Sequence, residues 1–290
     1  MIQRLCIVGV GLIGGSLAKD LRRLGLCDEV IGCSRKRENL ERARELGIID
    51  AYYLDPAKAV EGADMVVVAV PLGAMAAVLE AMRPGLAAGA VLTDVGSAKC
   101  SVLEAARSAF GAVPENFVPA HPIAGTEHSG VEAAVQGLFQ GRRVILTPAD
   151  ETRPEAVNRV REMWQSVGAE VLEMNPTHHD EVLAATSHLP HMLAYTLVDM
   201  LGSMEERVEM FRYAAGGFRD FTRIASSDPQ MWHDICLANR DALVDALDRF
   251  QGDLGVAIDA IRDGDSTAIK ELFARAKELR DRYARESDIG

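Results

Sequence analysis

Short apolar runs alternate with amphipathic stretches over the first 175 residues of the chain. The runs are mostly continuous, which is typical of strands buried on both faces of a parallel sheet. We predict strands over residues 5–8, 30–33, 65–70, 90–93, 117–120, 144–147 and 170–174. We predict helices over residues 16–24, 38–46, 74–82 and 154–167. Strands and helices at this spacing predict an α/β protein with a doubly wound, mostly parallel sheet.

The pattern after residue 175 predicts helices alone. Apolar residues over 179–201 recur at helical spacing, and Pro190 should kink this helix. A second long helix is predicted to begin at Ser227-Asp228-Pro229, where a capping side chain precedes a proline. Its apolar positions step by four and three, and they are Leu243, Leu247, Phe250, Leu254, Ile258 and Ile261. This seam should pack against another helix, within the chain or in a second subunit. A last helix is predicted over 267–285.

We therefore predict two domains, over residues 1–175 and 176–290. Of the 290 residues, 48% are hydrophobic and 26% charged, which is ordinary globular composition. Lys and Arg number 31 against 43 Asp and Glu, so the net charge of -12 argues against a nucleic-acid partner. The five cysteines stand singly, which favours reduced thiols in the cytoplasm. We find no signal peptide and no apolar run of membrane-spanning length, so no membrane partner is expected.

The strongest local signal is a GxGxxG motif that follows a predicted strand and opens a predicted helix. Its first glycine permits a tight turn, its second lets the backbone approach a pyrophosphate, and its third lets helix and strand pack closely. The helix N-terminus also attracts phosphate. We predict a dinucleotide site at Gly9, Gly11, Leu12, Ile13 and Gly14. The alternative is a glycine-rich turn without a ligand.

The residues after the second predicted strand distinguish the two nicotinamide cofactors. An acidic residue there would accept hydrogen bonds from a ribose 2′-OH and repel a 2′-phosphate. The chain instead has Ser34, Arg35 and Lys36, which favours NADP without excluding NAD. The alternative is a solvated, basic helix start. Val70 and Pro71 end another predicted strand, at the edge where such sheets bind ligands.

Two more predicted strands end in polar residues at this edge. Ser97 follows one of them, and it either orients a reacting group or caps the helix that begins near Lys99. His121 follows the other, before a loop rich in Pro and Gly. A neutral imidazole can accept a proton at cellular pH. A lone histidine is more often structural, but the shared edge with a cofactor loop favours catalysis.

The helical half contributes paired histidines and paired arginines. His188 and His191 stand at i and i+3, on one helix face. A metal site is conceivable, but the spacing is not HExxH and no cysteine is near, so core or capping histidines are the alternative. Arg219 and Arg223 precede Trp232 in a glycine-broken segment. Arginine suits bidentate carboxylate binding, and surface salt bridges are the alternative.

Five ordered motifs extend over nearly the whole chain. They are GVGLIGGSLA, DVGSAK, HPIAGTEHSG, SHLPH and GFRDFTRIASSDPQMW. Through them the chain resembles the prephenate/arogenate (cyclohexadienyl) dehydrogenases of tyrosine biosynthesis. The resemblance implies an N-terminal Rossmann domain, an all-helical C-terminal domain that forms a homodimer, and NAD(P)-dependent oxidative decarboxylation of a small cyclohexadienyl substrate.

The resemblance also implies roles for individual residues. His121 would take the proton of the ring hydroxyl, Ser97 would orient that hydroxyl, and Arg223 would hold the ring carboxylate. The other substrate-binding residues would be Thr126, Glu127, Asp180, His188, His191 and Trp232. The motifs leave the choice between prephenate and arogenate open, because no single charged residue decides it. No metal is required, since a positioned base and an oriented cofactor suffice.

Two alternative functions remain. β-Hydroxyacid dehydrogenases and imine reductases also join a Rossmann domain to a helical one, but the hydroxyacid enzymes use a lysine early in the first long helix of the second domain. No lysine occurs over residues 180–201 of this chain. A non-catalytic, nucleotide-sensing Rossmann protein would not need His121, the paired histidines and Arg223 together.

Overall fold

The computed structural model describes residues 1–126, 128–204 and 207–287. The chain divides into two compact units, Met1–Leu243 and Val244–Gly290. This division lies C-terminal to the boundary expected near residue 175, which stays a prediction. None of the helices in the described part of the chain combines the length and apolarity that a membrane span requires.

A parallel sheet forms the centre of the first unit. Among the described residues it has six strands, in the order β3-β2-β1-β4-β5-β6. The strands are β1 Ile2–Val8, β2 Cys27–Cys33, β3 Ala51–Tyr53, β4 Met65–Val68, β5 Val91–Asp94 and β6 Phe117–Val118. Successive residues of the central strands enter two separate apolar clusters, one on each face. The doubly wound sheet expected from continuous apolar runs is thus confirmed.

The predicted continuation of this sheet is wrong beyond residue 118. The next strands, β7 Ala120–Pro122, β8 Arg143–Leu146 and β9 Glu170–Glu173, form a separate sheet of three among the described strands. Strand β7 is antiparallel to β8, and β8 is parallel to β9. Pro119 separates β6 from β7, and a proline has no N–H to continue a ladder. The single run predicted over 117–120 is therefore two strands.

Helices cover both faces of the large sheet and also follow the small sheet in the first unit. Those up to residue 166 are α1 Leu12–Arg23, α2 Arg37–Glu45, α3 Pro56–Val60, α4 Met75–Met82, α5 Lys99–Phe110 and α6 Pro154–Ser166. Those that follow are α7 Pro176–Leu183, α8 Leu189–Gly202, α9 Arg207–Arg212, α10 Gly216–Thr222 and α11 Pro229–Ala238. Short 3-10 turns, including Arg223–Ser226, connect some of them.

Two of the predicted long helices are interrupted. A π-helical segment, Ala184–His188, separates α7 from α8, and Pro190 lies in the first turn of α8. A proline there needs no N–H partner, so the distortion precedes it instead of forming the simple kink predicted. The helix predicted from Ser227 begins as expected, with the Asp228 carboxylate accepting from Met231 N, but Asn239 leaves helical geometry and ends it.

Helix α12, Arg240–Arg262, begins in the first unit, and its remainder forms the second unit with α13, Ser266–Ser287. The predicted apolar seam lies along α12. Leu243 is buried, whereas the later positions Phe250, Leu254, Ile258 and Ile261 are exposed. Phe273 and Leu279 of α13 are also exposed. The seam thus keeps an uncovered apolar face in the single chain.

Candidate active site

The glycine motif forms a tight turn between β1 and α1. Gly9 has φ of 101°, and a Cβ there would lie 2.2 Å from the carbonyl oxygen of Ala69. A Cβ at Gly14 would lie 2.6 Å from Gly9 O, whereas a Cβ at Gly11 would meet no described atom within 4 Å. Gly9 and Gly14 thus allow close packing, and Gly11 leaves space in front of the backbone.

The N-terminus of α1 faces this space. Gly11 is its N-cap, and among the described residues no side chain accepts a hydrogen bond from this helix end. Uncapped N–H groups and the positive end of the helix dipole fit a pyrophosphate. Ala69 N donates to Val8 O at 2.6 Å, which brings the end of β4, followed by Val70 and Pro71, against the turn. The residues therefore fit a dinucleotide.

The cationic segment after β2 is open to solvent. Arg35 and Lys36 are exposed, Ser34 is half-buried, and Lys36 N donates to Ser34 Oγ at 3.4 Å. Within the described parts of the chain, neither Arg35 nor Lys36 forms an ion pair. Both cations are thus available to an anionic ligand at the end of β2, while the hydrogen bond also fits the helix start that is the alternative.

His121 is the middle residue of β7, three residues beyond the end of β6, and does not simply follow a strand as predicted. It belongs to a buried chain of hydrogen bonds. Its Nδ1 lies 2.9 Å from Nε2 of His179, in α7. The Nδ1 of His179 lies 2.8 Å from Oδ1 of Asp180. His179 is fully buried, Asp180 is 4% exposed, and His121 is half-buried. The arrangement joins a carboxylate, a buried imidazole and a more accessible imidazole in series.

The carboxylate of Asp180 is held by the N-terminus of α5. Its Oδ1 accepts from Lys99 N at 2.7 Å, and its Oδ2 accepts from Cys100 N at 2.8 Å. Burial acts to raise the pKa of Asp180, but the hydrogen bonds from His179, Lys99 and Cys100 outweigh it and lower the pKa. Asp180 is therefore ionised at neutral pH.

His121 is neutral at neutral pH. Burial lowers its pKa well below the usual value, and the neighbouring His179, Lys99 and His188 act in the same direction. Burial also lowers the pKa of His188, to about 4. A neutral imidazole at the C-terminal edge of a parallel sheet is able to accept a proton from a bound molecule.

A second histidine group surrounds Trp232. The ring of His191 stacks on the indole of Trp232, with 3.6 Å between the ring centroids. The ring of His188 meets the same indole edge-on, with 6.1 Å between the centroids. Asn239 Nδ2 donates to Asp180 O at 2.8 Å and lies 3.1 Å from His188 Nδ1. These contacts explain why Asn239 interrupts the helix, and they join the two histidine groups.

Arg223 is exposed in the turn that follows α10. Burial lowers the pKa of His191 and its hydrogen bond to Ser187 O opposes this, while the positive charge of Arg223 lowers it further. Arg223 therefore lies within electrostatic range of the Trp232 group. Arg219, in α10, is exposed as well.

The remaining predicted site residues are Ser97, Thr126 and Glu127. Ser97 is half-buried and does not cap α5, since Ala98 is the N-cap and the first N–H groups of the helix, those of Lys99 and Cys100, donate to the Asp180 carboxylate. The capping alternative for Ser97 is therefore wrong. Thr126 is exposed, and its Oγ1 accepts from His128 N at 3.2 Å. Glu127 lies outside the described residues. No cluster of three or more metal-ligating side chains occurs in the part of the chain described.

Three residues that the structure places around His121 were absent from the predicted site. They are His179, which contacts His121 itself, Lys99, which donates to Ala120 O beside it, and Asn239, which reaches the same network through His188. The DVGSAK motif could have revealed Lys99, because a lysine five residues after an aspartate at a strand end can form an ion pair with that aspartate. His179 offered only its position beside Asp180.

Comparison with known proteins identifies the family. The description "Prephenate dehydrogenase, nucleotide-binding domain" matches residues 17–173, and "Prephenate dehydrogenase, dimerization domain" matches residues 175–275. The cyclohexadienyl dehydrogenase of Zymomonas mobilis is 38% identical, over 100% of this chain and 99% of that protein. The prephenate dehydrogenase of Bacillus subtilis is 35% identical, over 97% of this chain and 76% of that protein.

Solved structures agree with this assignment. Prephenate dehydrogenase from Aquifex aeolicus, in complex with hydroxyphenyl propionate and NAD+, is 36% identical, with a TM-score of 0.90 over 97% of this chain and 98% of that chain. Synechocystis arogenate dehydrogenase is 29% identical, with a TM-score of 0.82 over 97% of this chain and 100% of that chain. The chain belongs to the prephenate dehydrogenase family, and is an oxidoreductase with a nucleotide-binding domain.

Proposed function

We propose that this protein catalyses NAD(P)-dependent oxidative decarboxylation of prephenate, arogenate or both, with His121 as the base. The hydrogen-bond chain from His121 through His179 to Asp180 carries the proposal, because it holds a neutral imidazole at the same end of the parallel sheet as the dinucleotide turn. Contacts between neighbouring strand ends connect that turn to His121. Gly9 packs on Ala69, and Val95 N donates to Val68 O. Ala120 N, next to His121, donates to the Asp94 carboxylate.

The chemistry requires one proton acceptor and an oriented substrate. A bound nicotinamide would supply the acceptor for the hydride on the ring carbon that carries the hydroxyl. His121 removes the hydroxyl proton, and Ser97 orients the same hydroxyl. Loss of the ring carboxylate as CO2 removes no proton, so it needs no further base, and it is favourable because it makes the ring aromatic. A positioned base and an oriented cofactor therefore suffice.

The proposed substrate contacts lie mainly in the helical half. Arg223 would hold the ring carboxylate in a fixed fork. Asp180 and Glu127 would belong to the polar network of Arg223. His188 and His191 would face the substrate side chain, and Thr126 and Trp232 would line the pocket. The contacts between Trp232 and both histidines support this group as one wall of the pocket. Prephenate and arogenate differ in that side chain, by a keto group against an ammonium.

We propose that NADP is accepted, and is slightly favoured over NAD. The exposed side chains of Arg35 and Lys36, which form no ion pair with any described residue, support this, because they stand where an acid would repel a 2′-phosphate. NAD remains the alternative cofactor, and the similar Aquifex aeolicus protein is described in complex with NAD+.

The proposed assembly is a homodimer formed through the helical half. The match to a dimerization domain over residues 175–275 and the exposed apolar positions of α12 support it. Light scattering should give twice the mass of one chain, and a monomer at every concentration would refute the dimer.

We propose residues 1–175 as the nucleotide-binding domain and residues 176–290 as the substrate-binding domain. We propose the cytoplasm as the location, because the cysteines stand singly.

Absorbance at ~340 nm tests the activity, because reduced nicotinamide absorbs there. The purified protein is mixed with prephenate or arogenate and with NADP or NAD. Wild-type protein should produce the signal, and His121→Asn should lower kcat by ~10²–10⁴ with little change in KM. A β-hydroxyacid dehydrogenase would respond to a hydroxyacid instead, and a nucleotide sensor would bind without turnover. A variant that retains a third of the wild-type kcat would remove His121 from the mechanism.

A further inference from the structure

We propose that His179 is a positioning residue, which fixes the tautomer of His121 and shares the proton that His121 takes from the substrate. The inference rests on the proposed function in that it takes His121 as the base. It concerns a residue outside the GxGxxG turn, the paired histidines and the arginine segment. Three observations carry it: two hydrogen-bond distances, the burial of His179, and the contacts of Asp180.

The direction of each hydrogen bond follows from Asp180. Its two carboxylate oxygens accept from the backbone N–H groups of Lys99 and Cys100, so the side chain acts as an acceptor. His179 Nδ1, 2.8 Å from the same carboxylate, must therefore carry a hydrogen and donate it. The proposed role requires the imidazole form of His179 in which the other nitrogen, Nε2, has a lone pair and is an acceptor.

This acceptor determines the state of His121. His121 Nδ1 lies 2.9 Å from His179 Nε2, and two lone pairs at this distance would repel. Nδ1 of His121 must therefore carry the hydrogen and donate it. The Nε2 of His121 then has the lone pair, which is the form that a proton acceptor requires. A carboxylate that orients a catalytic imidazole through its Nδ1–H is the arrangement of serine hydrolases, here lengthened by one ring.

Burial makes the arrangement specific. His179 has no exposed surface and Asp180 is 4% exposed, so bulk water does not compete for these hydrogen bonds. The charged or titratable groups that face His121 are His179 from α7, Lys99 from α5 and His188 from the π-helical segment. The ammonium of Lys99 is paired with Asp94, which leaves Asp180 as the carboxylate in line with the imidazoles.

The proton balance is complete without another reactant. The hydroxyl O–H bond of the substrate breaks, and its electron pair forms the C=O bond as the same carbon loses hydride, for which a bound nicotinamide would be the acceptor. The proton forms N–H at His121 Nε2. His121 is then an imidazolium, hydrogen-bonded through Nδ1 to His179. Movement of the Nδ1 proton onto His179 Nε2 places the positive charge next to the ionised Asp180. The base is thereby neutral again while the proton stays inside the protein.

Nitrogen NMR of the protein labelled with ¹⁵N-histidine tests the tautomer directly. The His121 signals are identified by their loss in His121→Asn. Wild-type protein should show a protonated Nδ1 and an unprotonated Nε2 at His121 near neutral pH. A hydrogen on Nε2 instead would overturn the proposal. Since this readout needs no substrate, it stays valid if neither prephenate nor arogenate is turned over, so failure of the proposed function is recognised separately.

Kinetics of two variants test the role. His179→Leu removes the acceptor, so kcat should fall by about 10²–10⁴-fold while both KM values change less than about threefold. His179→Gln offers a side-chain oxygen to His121 Nδ1, so kcat should return to within roughly tenfold of wild type. The matched control is His178→Leu, because the adjacent His178 is 63% exposed and pairs with Glu181. Wild-type kcat in His179→Leu, or equal losses in the Leu and Gln variants, would refute the proposal. If His179→Leu does not fold, the Gln variant and the wild-type spectrum still decide.

Discussion

The ammonium of Lys99 lies 2.7 Å from the carboxylate of Asp94, and both side chains are wholly buried. Together they hold the residue before His121: Lys99 Nζ donates to Ala120 O at 2.7 Å, and Asp94 Oδ1 accepts from Ala120 N at 3.1 Å. Burial lowers the pKa of Lys99, while Asp94 acts to raise it. The ion pair thus fixes the backbone next to His121.

Replacing Lys99 by methionine should strongly destabilise the protein. Methionine has a similar length, but Asp94 would keep a buried charge without its partner, which costs about 3–5 kcal/mol. Urea unfolding at neutral pH measures the change in the free energy of unfolding. The control is Lys58→Met, since Lys58 is exposed in α3, and it should change this free energy by less than ~0.5 kcal/mol. Similar values for the two variants would show that the buried pair contributes little.

The cofactor preference depends on Arg35 if this side chain binds a 2′-phosphate. Arg35→Ala should raise KM for NADP about tenfold or more and leave KM for NAD nearly unchanged, because a charge-assisted pair contributes ~1.5–3 kcal/mol. Initial rates with each cofactor measure this. Arg44→Ala, at the other end of α2, is the matched control and should affect neither. Equal losses for both cofactors, or a wild-type preference for NAD, would make the segment a solvated helix start.

Protein stability should fall in mild acid because His188 is buried in its neutral form. Its pKa is about 4 in the folded protein and 6.5 in the unfolded chain. Between these values the unfolded chain binds more protons, so the free energy of unfolding rises with pH in this window and falls as pH decreases. From pH ~7 to pH ~5 the contribution of His188 is about 2 kcal/mol. Chemical denaturation at several pH values gives the slope of the free energy of unfolding against pH. This slope should be smaller in His188→Gln than in wild type, and equal slopes would contradict the assignment.

Sequence patterns predicted the large sheet because each of its central strands is a continuous apolar run. Three features of the fold were not predicted from these patterns, each for a physical reason. Strand β3, Ala51–Tyr53, has three partly exposed residues and therefore no apolar run. Pro119 divides one predicted strand between two sheets, and Asn239 ends a helix to bond with Asp180 and His188. The last case depends wholly on tertiary contacts, which periodicity does not contain.

The same limit applies to the candidate site. His121 was predicted because its position at a strand end is a local property of the sequence. His179 was not, because its contact with His121 spans 58 positions and a histidine in a helix has no local signature of catalysis. Asp180 entered the prediction through family resemblance alone, and the structure adds its physical contacts: it caps α5 and accepts from His179.

Arg223 and Arg219 provide a test that separates substrate recognition from chemistry. The ring carboxylate leaves as CO2, so its charge disperses as the C–C bond breaks, and a guanidinium that holds it stabilises mainly the ground state. Arg223→Gln should therefore raise KM for prephenate by roughly 10–100-fold, from ~1.5–3 kcal/mol, with a smaller fall in kcat. Steady-state kinetics at saturating cofactor measure both constants.

Arg219→Gln is the matched control for this prediction. Arg219 lies one helical turn earlier, and it is Arg223 whose charge lowers the pKa of His191 beside Trp232. Arg219→Gln should therefore change KM much less than Arg223→Gln. Exchanged behaviour of the two variants would move the carboxylate contact by one turn, to Arg219. If neither variant changes KM, another group holds the carboxylate, and His188 and His191 are next to be tested, because both contact the indole ring near Arg223.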